Sequence, residues 1–138
     1  KMQPSDLVII ALRDYEPEER AIIEEHGIKV ITVAELRKVG AKAVVQETLA
    51  HLTLCDKIHV SFDVDCLDPS ISIGTGTPVP DGLMANEASE LLQGFCKDPK
   101  TVTVDVVEIN PALGQANDMA EATLGILEPL FPILRTRP

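Results

Sequence analysis

Asp63 and Asp65 stand two residues apart at the end of an apolar, β-branched run, and a further acid, Glu108, closes a second such run. On an extended segment, side chains two residues apart point to the same side. Two carboxylates sharing a partly buried cleft repel, and one is driven toward its neutral form unless a cation stands between them. A divalent ion is the simplest remedy. Oxygen-only ligands favour Mg, Ca or Mn, and an admixed imidazole moves the choice toward Mn, Fe, Co or Zn. The competing reading has Asp63-Val64-Asp65 merely cap a strand and open an Asx turn before Leu67-Asp68-Pro69. An acid at a second strand end, Glu108, favours a site over a cap.

The elements that must position these acids follow from periodicity. Residues 7–12 (LVIIAL), 29–33 (KVITV), 58–64 (IHVSFDV) and 101–109 (TVTVDVVEI) read as strands rich in β-branched side chains. Residues 16–25, 41–54, 86–96 and 116–130 read as helices, the first with Pro17 in its opening turn and His26-Gly27 as its C-cap, the third with Asn86 as N-cap. Pro129 and Pro132 are expected to stop or kink the last helix and leave a short tail over 135–138. Strands alternating with helices of this length predict an α/β fold, a three-layer αβα sandwich with a mainly parallel sheet covered on both faces. Ligands of such sheets gather outside the carboxyl ends of the strands. Asp14 and Glu16 follow the first strand, Asp63 and Asp65 end the third, and Glu108 ends the fourth, so parallel strands would put all of them on one edge.

The stretch 66–85 fits neither period and holds Asp68-Pro69, Gly74, Gly76, Pro78, Pro80 and Asp81-Gly82. A loop of that length in a compact domain is usually functional. Read as a phosphate loop, Gly74-Thr75-Gly76-Thr77 lacks a following Lys-Ser/Thr and does not run into a helix.

Composition bounds the class. The 138 residues carry 12 basic and 22 acidic side chains, a net charge of -10, which argues against a nucleic-acid surface and for cationic ligands. That length allows one domain, residues 1–138. With 45% apolar but only 3% aromatic residues, the core must be aliphatic. No apolar run approaches the roughly 20 residues of a membrane span, and no leader is evident, so a soluble, cytoplasmic protein without nucleic-acid or membrane partners is expected. The 3 cysteines, Cys55, Cys66 and Cys96, form no C-x-x-C pair and point to a reducing compartment and to packing roles. His26, His51 and His59 are isolated and read as structural.

Three blocks together carry a family resemblance: Ser61-Phe62-Asp63-Val64-Asp65-Cys66-Leu67-Asp68-Pro69, Gly76-Thr77-Pro78-Val79 and Glu108-Ile109-Asn110-Pro111. They resemble the second half of the ureohydrolases, the arginases and agmatinases, and the resemblance covers nearly the whole chain. Leu12-Arg13-Asp14-Tyr15-Glu16-Pro17-Glu18-Glu19 is similar to the arginase segment R-D-x-D-P-x-E, which favours arginase over agmatinase. The resemblance implies that Asp63 and Asp65 are ligands in a pair of manganese ions and that Glu108, as catalytic residue, holds the substrate guanidinium, with Thr77 beside it. It implies that Asp14 and Glu16, with Glu19 through water, bind the α-amino end of L-arginine. The reaction it implies is attack on the guanidinium carbon by a hydroxide held between two metals, giving urea and L-ornithine.

The departures define the expected state of the chain. The family's upstream histidine ligand, its D-x-H-x-D segment and its proton-shuttling histidine have no counterpart here, since no histidine is flanked by aspartates two before and two after. Glu16 stands for the usual Asp, and Cys66 for the usual Gly. The first reading is therefore the C-terminal half of an arginase, inactive by itself, and Lys1 preceding Met2 is consistent with a piece of a longer chain. Alternatives are an agmatinase or other guanidino-compound ureohydrolase, a non-catalytic ureohydrolase-like binding module, and a plain acidic α/β domain. The expected assembly is a homo-oligomer, trimer or hexamer, or co-folding with a missing N-terminal half.

Overall fold

The computed structural model describes residues 1–71, 73–113 and 117–136. Its elements run β1 (Val8–Ile10), α1 (Pro17–His26), β2 (Lys29–Ile31), α2 (Val33–Val39), α3 (Ala41–His51), β3 (Ile58–Asp63), α4 (Ala85–Lys97), β4 (Thr101–Val107), α5 (Asp118–Leu127) and α6 (Leu130–Arg135). Short 3-10 turns occupy Pro4–Asp6 and Val64–Cys66. The fold is α/β and the strand pairings are parallel. β1 pairs with β2 through Ile9↔Val30, and β3 with β4 through Phe62↔Val106. Among the described residues these form two separate two-stranded sheets.

Helix termini follow local chemistry. α1 ends where Gly27 turns left-handed at φ 61°, and its amide donates to the Glu24 carbonyl. Glycine lacks the Cβ that disfavours this conformation. The N-cap of α4 lies two residues before the Asn86 cap expected from sequence: it is Met84, whose amide donates to Glu87 Oε2 at 2.8 Å. α2 is a helix where the sequence suggested only the tail of a strand. The Thr32 hydroxyl accepts from the Glu35 amide at 3.2 Å, and the Thr32 amide donates to Glu35 Oε2 at 2.7 Å. That reciprocal capping box ends β2 at Ile31 despite the β-branched run. The last helix divides in two. α5 stops at Leu127, and α6 starts after Pro129 and carries Pro132 in its first turn, where a missing N–H costs nothing. The start expected at 116 lies outside the described residues.

The core lies between β3–β4 and the helix pair α3–α4. Phe62, Val44, Val45, Leu91, Leu92 and Phe95 are buried there, each such side chain contributing about 2 kcal/mol by leaving water. The alternation of β3 and β4 separates two faces. Val60, Phe62, Val104 and Val106 pack against the core, while His59, Ser61, Thr103 and Asp105 are exposed. Among the described residues, no helix is long and apolar enough to cross a membrane. The cysteines are free thiols.

An ion pair ties α2 to α4. Arg37 donates from Nε to Glu87 Oε1 at 3.0 Å and from Nη2 to the Gly82 carbonyl at 2.8 Å. The Arg37 hydrogen bond holds the Glu87 carboxyl below its usual range. A depressed carboxyl contributes stability above its unfolded value and loses that contribution as pH falls through the folded one. Glu87→Gln should therefore lower the Tm at pH 7, and the difference from the parent should shrink as the pH falls through the acid range, as calorimetry across that range would show.

Candidate functional site

The carboxyl ends of β1 and β3 open on one cavity of about 420 Å³. Asp14, Glu16, Glu19, Asp63, Asp65 and Thr77 all line it. Residues drawn from three separate segments thus meet where a parallel fold places ligands. Glu108 follows β4, is exposed, and does not belong to the lining. Its backbone is left-handed at φ 64°, an uncommon state for a residue with a Cβ. The turn after it is tied to the site loop, because the Asn110 amide donates to the Gly74 carbonyl at 2.9 Å.

The two aspartates meet by a different route from the one expected of an extended segment. Asp63 ends β3, but Asp65 lies in the Val64–Cys66 turn, and the Asp65 amide donates to Asp63 Oδ1 at 3.1 Å. This is the Asx-type cap that the plainer reading foresaw, and it coexists with the cavity. Thr77 Oγ1 donates to Asp65 Oδ2 at 2.8 Å and fixes that carboxylate from across the loop. Burial pushes the Asp63 carboxyl above its usual range, with the Asp65 and Glu108 charges adding to the effect. A group so placed favours a cation nearby.

Cys66 lines the same cavity, and burial raises its thiol to about 12. It is a protonated, weakly nucleophilic packing group at neutral pH. Glu19 is engaged locally: its Oε2 accepts from the Glu16 amide at 2.8 Å, closing the N-terminus of α1. Tyr15, between the acids of the first segment, is partly exposed and also lines the cavity. Arg13 received no role from sequence, yet its guanidinium reaches across the site floor to backbone carbonyls beyond β3. Its partners lie more than fifty residues away, so no local pattern could signal them.

Manganese is the metal that the motif blocks imply. Asp63 and Asp65 suit a hard divalent ion in kind, but an octahedral site needs about six donors per ion. Among the described residues, no group of three or more His, Cys, Asp or Glu side chains is arranged to hold a metal. The donor set fits in type and falls short in number.

Comparison with known proteins bears on family and fold. Residues 1–131 match the Arginase family. The arginase of Bacillus subtilis (strain 168) is 37% identical over 132 residues, which are 95% of this chain and 44% of that protein. The chain thus spans less than half the length of such relatives. The arginase of Entamoeba histolytica, solved in complex with L-ornithine, superposes with a TM-score of 0.88 at 30% identity, over 94% of this chain and 44% of that one. Formimidoylglutamase of Bacillus subtilis superposes with a TM-score of 0.89 at 22% identity, over 99% of this chain and 43% of that one, which speaks for the fold alone. Three motif blocks, a parallel α/β fold with its acids around one strand-end cavity, and a match over nearly the full chain lead to one conclusion: this chain belongs to the arginase family.

Proposed function

We infer that this chain is the C-terminal portion of a single arginase-like domain whose complete form hydrolyses L-arginine to L-ornithine and urea. The observation that carries this reading is the clustering of Asp14, Glu16, Asp63, Asp65 and Thr77 around one cavity. In the complete site, a pair of manganese ions would supply a water acidic enough to act as nucleophile at neutral pH. Asp63 and Asp65 would give this chain's share of the ligands, with Thr77 holding Asp65 in orientation. Asp14 and Glu16 would bind the α-ammonium group, Glu16 with one methylene more reach than the usual Asp. Glu108, a carboxylate at the neighbouring strand end, would receive the planar guanidinium through two parallel hydrogen bonds. Its position outside the cavity lining makes guanidinium binding dependent on the remaining part of the protein.

Sheet edges support co-folding or oligomerisation. β1 pairs only with β2 and β3 only with β4 among the described residues, while Ile9, Ile10 and Ala11 at the end of β1 line the cavity together with Asp63. Unpaired strand edges recruit further strands.

Metal titration tests the site assignment. The isolated chain should bind Mn(II) weakly, with dissociation constants on the order of 1 mM expected of a two-carboxylate donor set. Asp63→Ala should abolish that binding in electron paramagnetic resonance titrations, and Cys66→Gly should leave it intact. Unchanged affinity in the Asp63 variant would remove the metal from this strand end.

A further inference from the structure

Among the described residues, Arg13 is the one cation lining the acidic cavity, and no carboxylate lies within ion-pair distance of it. Its guanidinium spends its donors on main-chain carbonyls instead. Nη2 donates to Asp65 O at 2.6 Å, Val79 O at 2.9 Å and Leu67 O at 3.3 Å. Nη1 donates to Cys66 O at 3.2 Å, and Nε is shared by Val79 O and Pro80 O, each at 3.2 Å. The accepting carbonyls belong to two segments, the turn that carries Asp65 and the strip that follows Thr77. Arg13 itself precedes Asp14.

We propose that Arg13 is a positioning residue of the candidate site: through its planar fork of donors it locks the metal-side wall, Asp65 and Thr77, against the amino-group side, Asp14 and Glu16. The proposal rests on the reading of the cavity given above for its functional part and on geometry alone for its structural part. Three properties of arginine are needed together. A lysine has the charge but only three donors on one ammonium nitrogen, too few to hold the carbonyls of Asp65, Cys66, Leu67, Val79 and Pro80 together. Carbonyl partners, unlike carboxylates, leave the positive charge unneutralised within a lining otherwise rich in acids. A side chain that satisfies several otherwise open carbonyls also removes the need for water at the cavity floor.

Nuclear magnetic resonance on the 138-residue chain separates the two parts. In the parent, the Arg13 Nε–H should give a dispersed, slowly exchanging signal, and a solvent-averaged signal at that proton overturns the clamp without any variant being made. Amide exchange at Leu67 and Leu83, whose N–H groups donate to Val64 O and Cys66 O at 3.1 and 2.8 Å, reports the same wall. Arg13→Ala and Arg13→Lys should both speed that exchange at least tenfold, and millimolar guanidinium should restore it in the alanine variant only. Unchanged exchange in both variants would overturn the proposal.

L-ornithine provides the functional readout, followed through the Asp14 and Glu16 amides at a temperature where each variant is folded. Its Kd should rise at least tenfold in both variants and recover with guanidinium in Arg13→Ala, which a general loss of stability would not produce. If exchange responds and the variants bind L-ornithine as the parent does, Arg13 does not position the amino-group side and the proposal fails. Absence of L-ornithine binding by the parent, with exchange responding as expected, would sink the functional reading of the cavity while the clamp stands.

Discussion

Mixing this chain with a polypeptide that carries an upstream D-x-H-x-D segment and the further histidine ligands should turn two inactive solutions into one that releases urea from L-arginine. The expected gain is on the order of 10⁶-fold or more, because enzyme-scale acceleration depends on the completed metal pair. On the proposed reading, the chain by itself would supply Asp63 and Asp65, two donors where about six per ion are required. The cavity already holds Asp14, Glu16 and Thr77. The open edges of β1 and β3 flank it, so a completing segment would enter between strands that lack partners on that side among the described residues. The measurement is urea release from the co-purified pair with Mn(II), alongside each polypeptide alone and a pair containing Asp63→Ala. A pair that associates by size-exclusion chromatography, binds two metals and still releases no urea would rule out the split-enzyme account.

A second large effect is expected at Gly82, and it concerns stability. A Cβ built there would come within 2.5 Å of the Asp68 nitrogen and closer still to the Leu67 carbonyl carbon. These are backbone atoms that no rotamer change can move aside. The close approach is the bridge Leu67↔Leu83, in which Asp68 N donates to Leu83 O at 2.9 Å and Leu83 N to Cys66 O at 2.8 Å. The Gly82 carbonyl also accepts from Arg37, so the same residue ties α2 to the site loop. Gly82→Ala should cost about 3 kcal/mol, the upper part of the range for overpacking. That is a large fraction of the ~5–15 kcal/mol available to a domain of this kind, and it should lower the Tm by about 10 °C. Gly76→Ala, in the same loop but with open space for 4 Å around the position a Cβ would take, is the control and should shift the Tm by no more than about 2 °C. Equal stabilities of the two variants by thermal denaturation would refute the close-approach argument.

Much of the fold is legible in the chain because its signals are local. The four β-branched runs all contain the observed strands, though each strand is shorter than its run. Gly27 after His26 marks the end of α1, where a left-handed residue is required. α2 is hidden because Val30, Ile31 and Val33 read as one strand, yet the Thr32-x-x-Glu35 box is a signal that could reveal it. The break between α5 and α6 follows from Pro129, and α6 resumes because Pro132 falls in a first turn that can lack an N–H. In each case a competing local preference wins, and the reason can be named.

The candidate site divides along the same line. Which side chains are available is written in the chain: Asp14, Glu16, Asp63, Asp65, Thr77 and Glu108, in blocks whose types and spacing carry the family resemblance. The parallel run of the strands is equally legible, since helices long enough for crossovers separate them. Folding adds that five of these residues share a cavity while Glu108 stands outside its lining with a left-handed backbone. Arg13, too, gains a role only in the folded chain. Its carbonyl partners come from segments 52 to 67 positions away, and a donor fork has no meaning until loop closure brings those carbonyls within hydrogen-bonding distance. Residue chemistry is a property of each position in the chain, whereas convergence and clamping are properties of the closed fold.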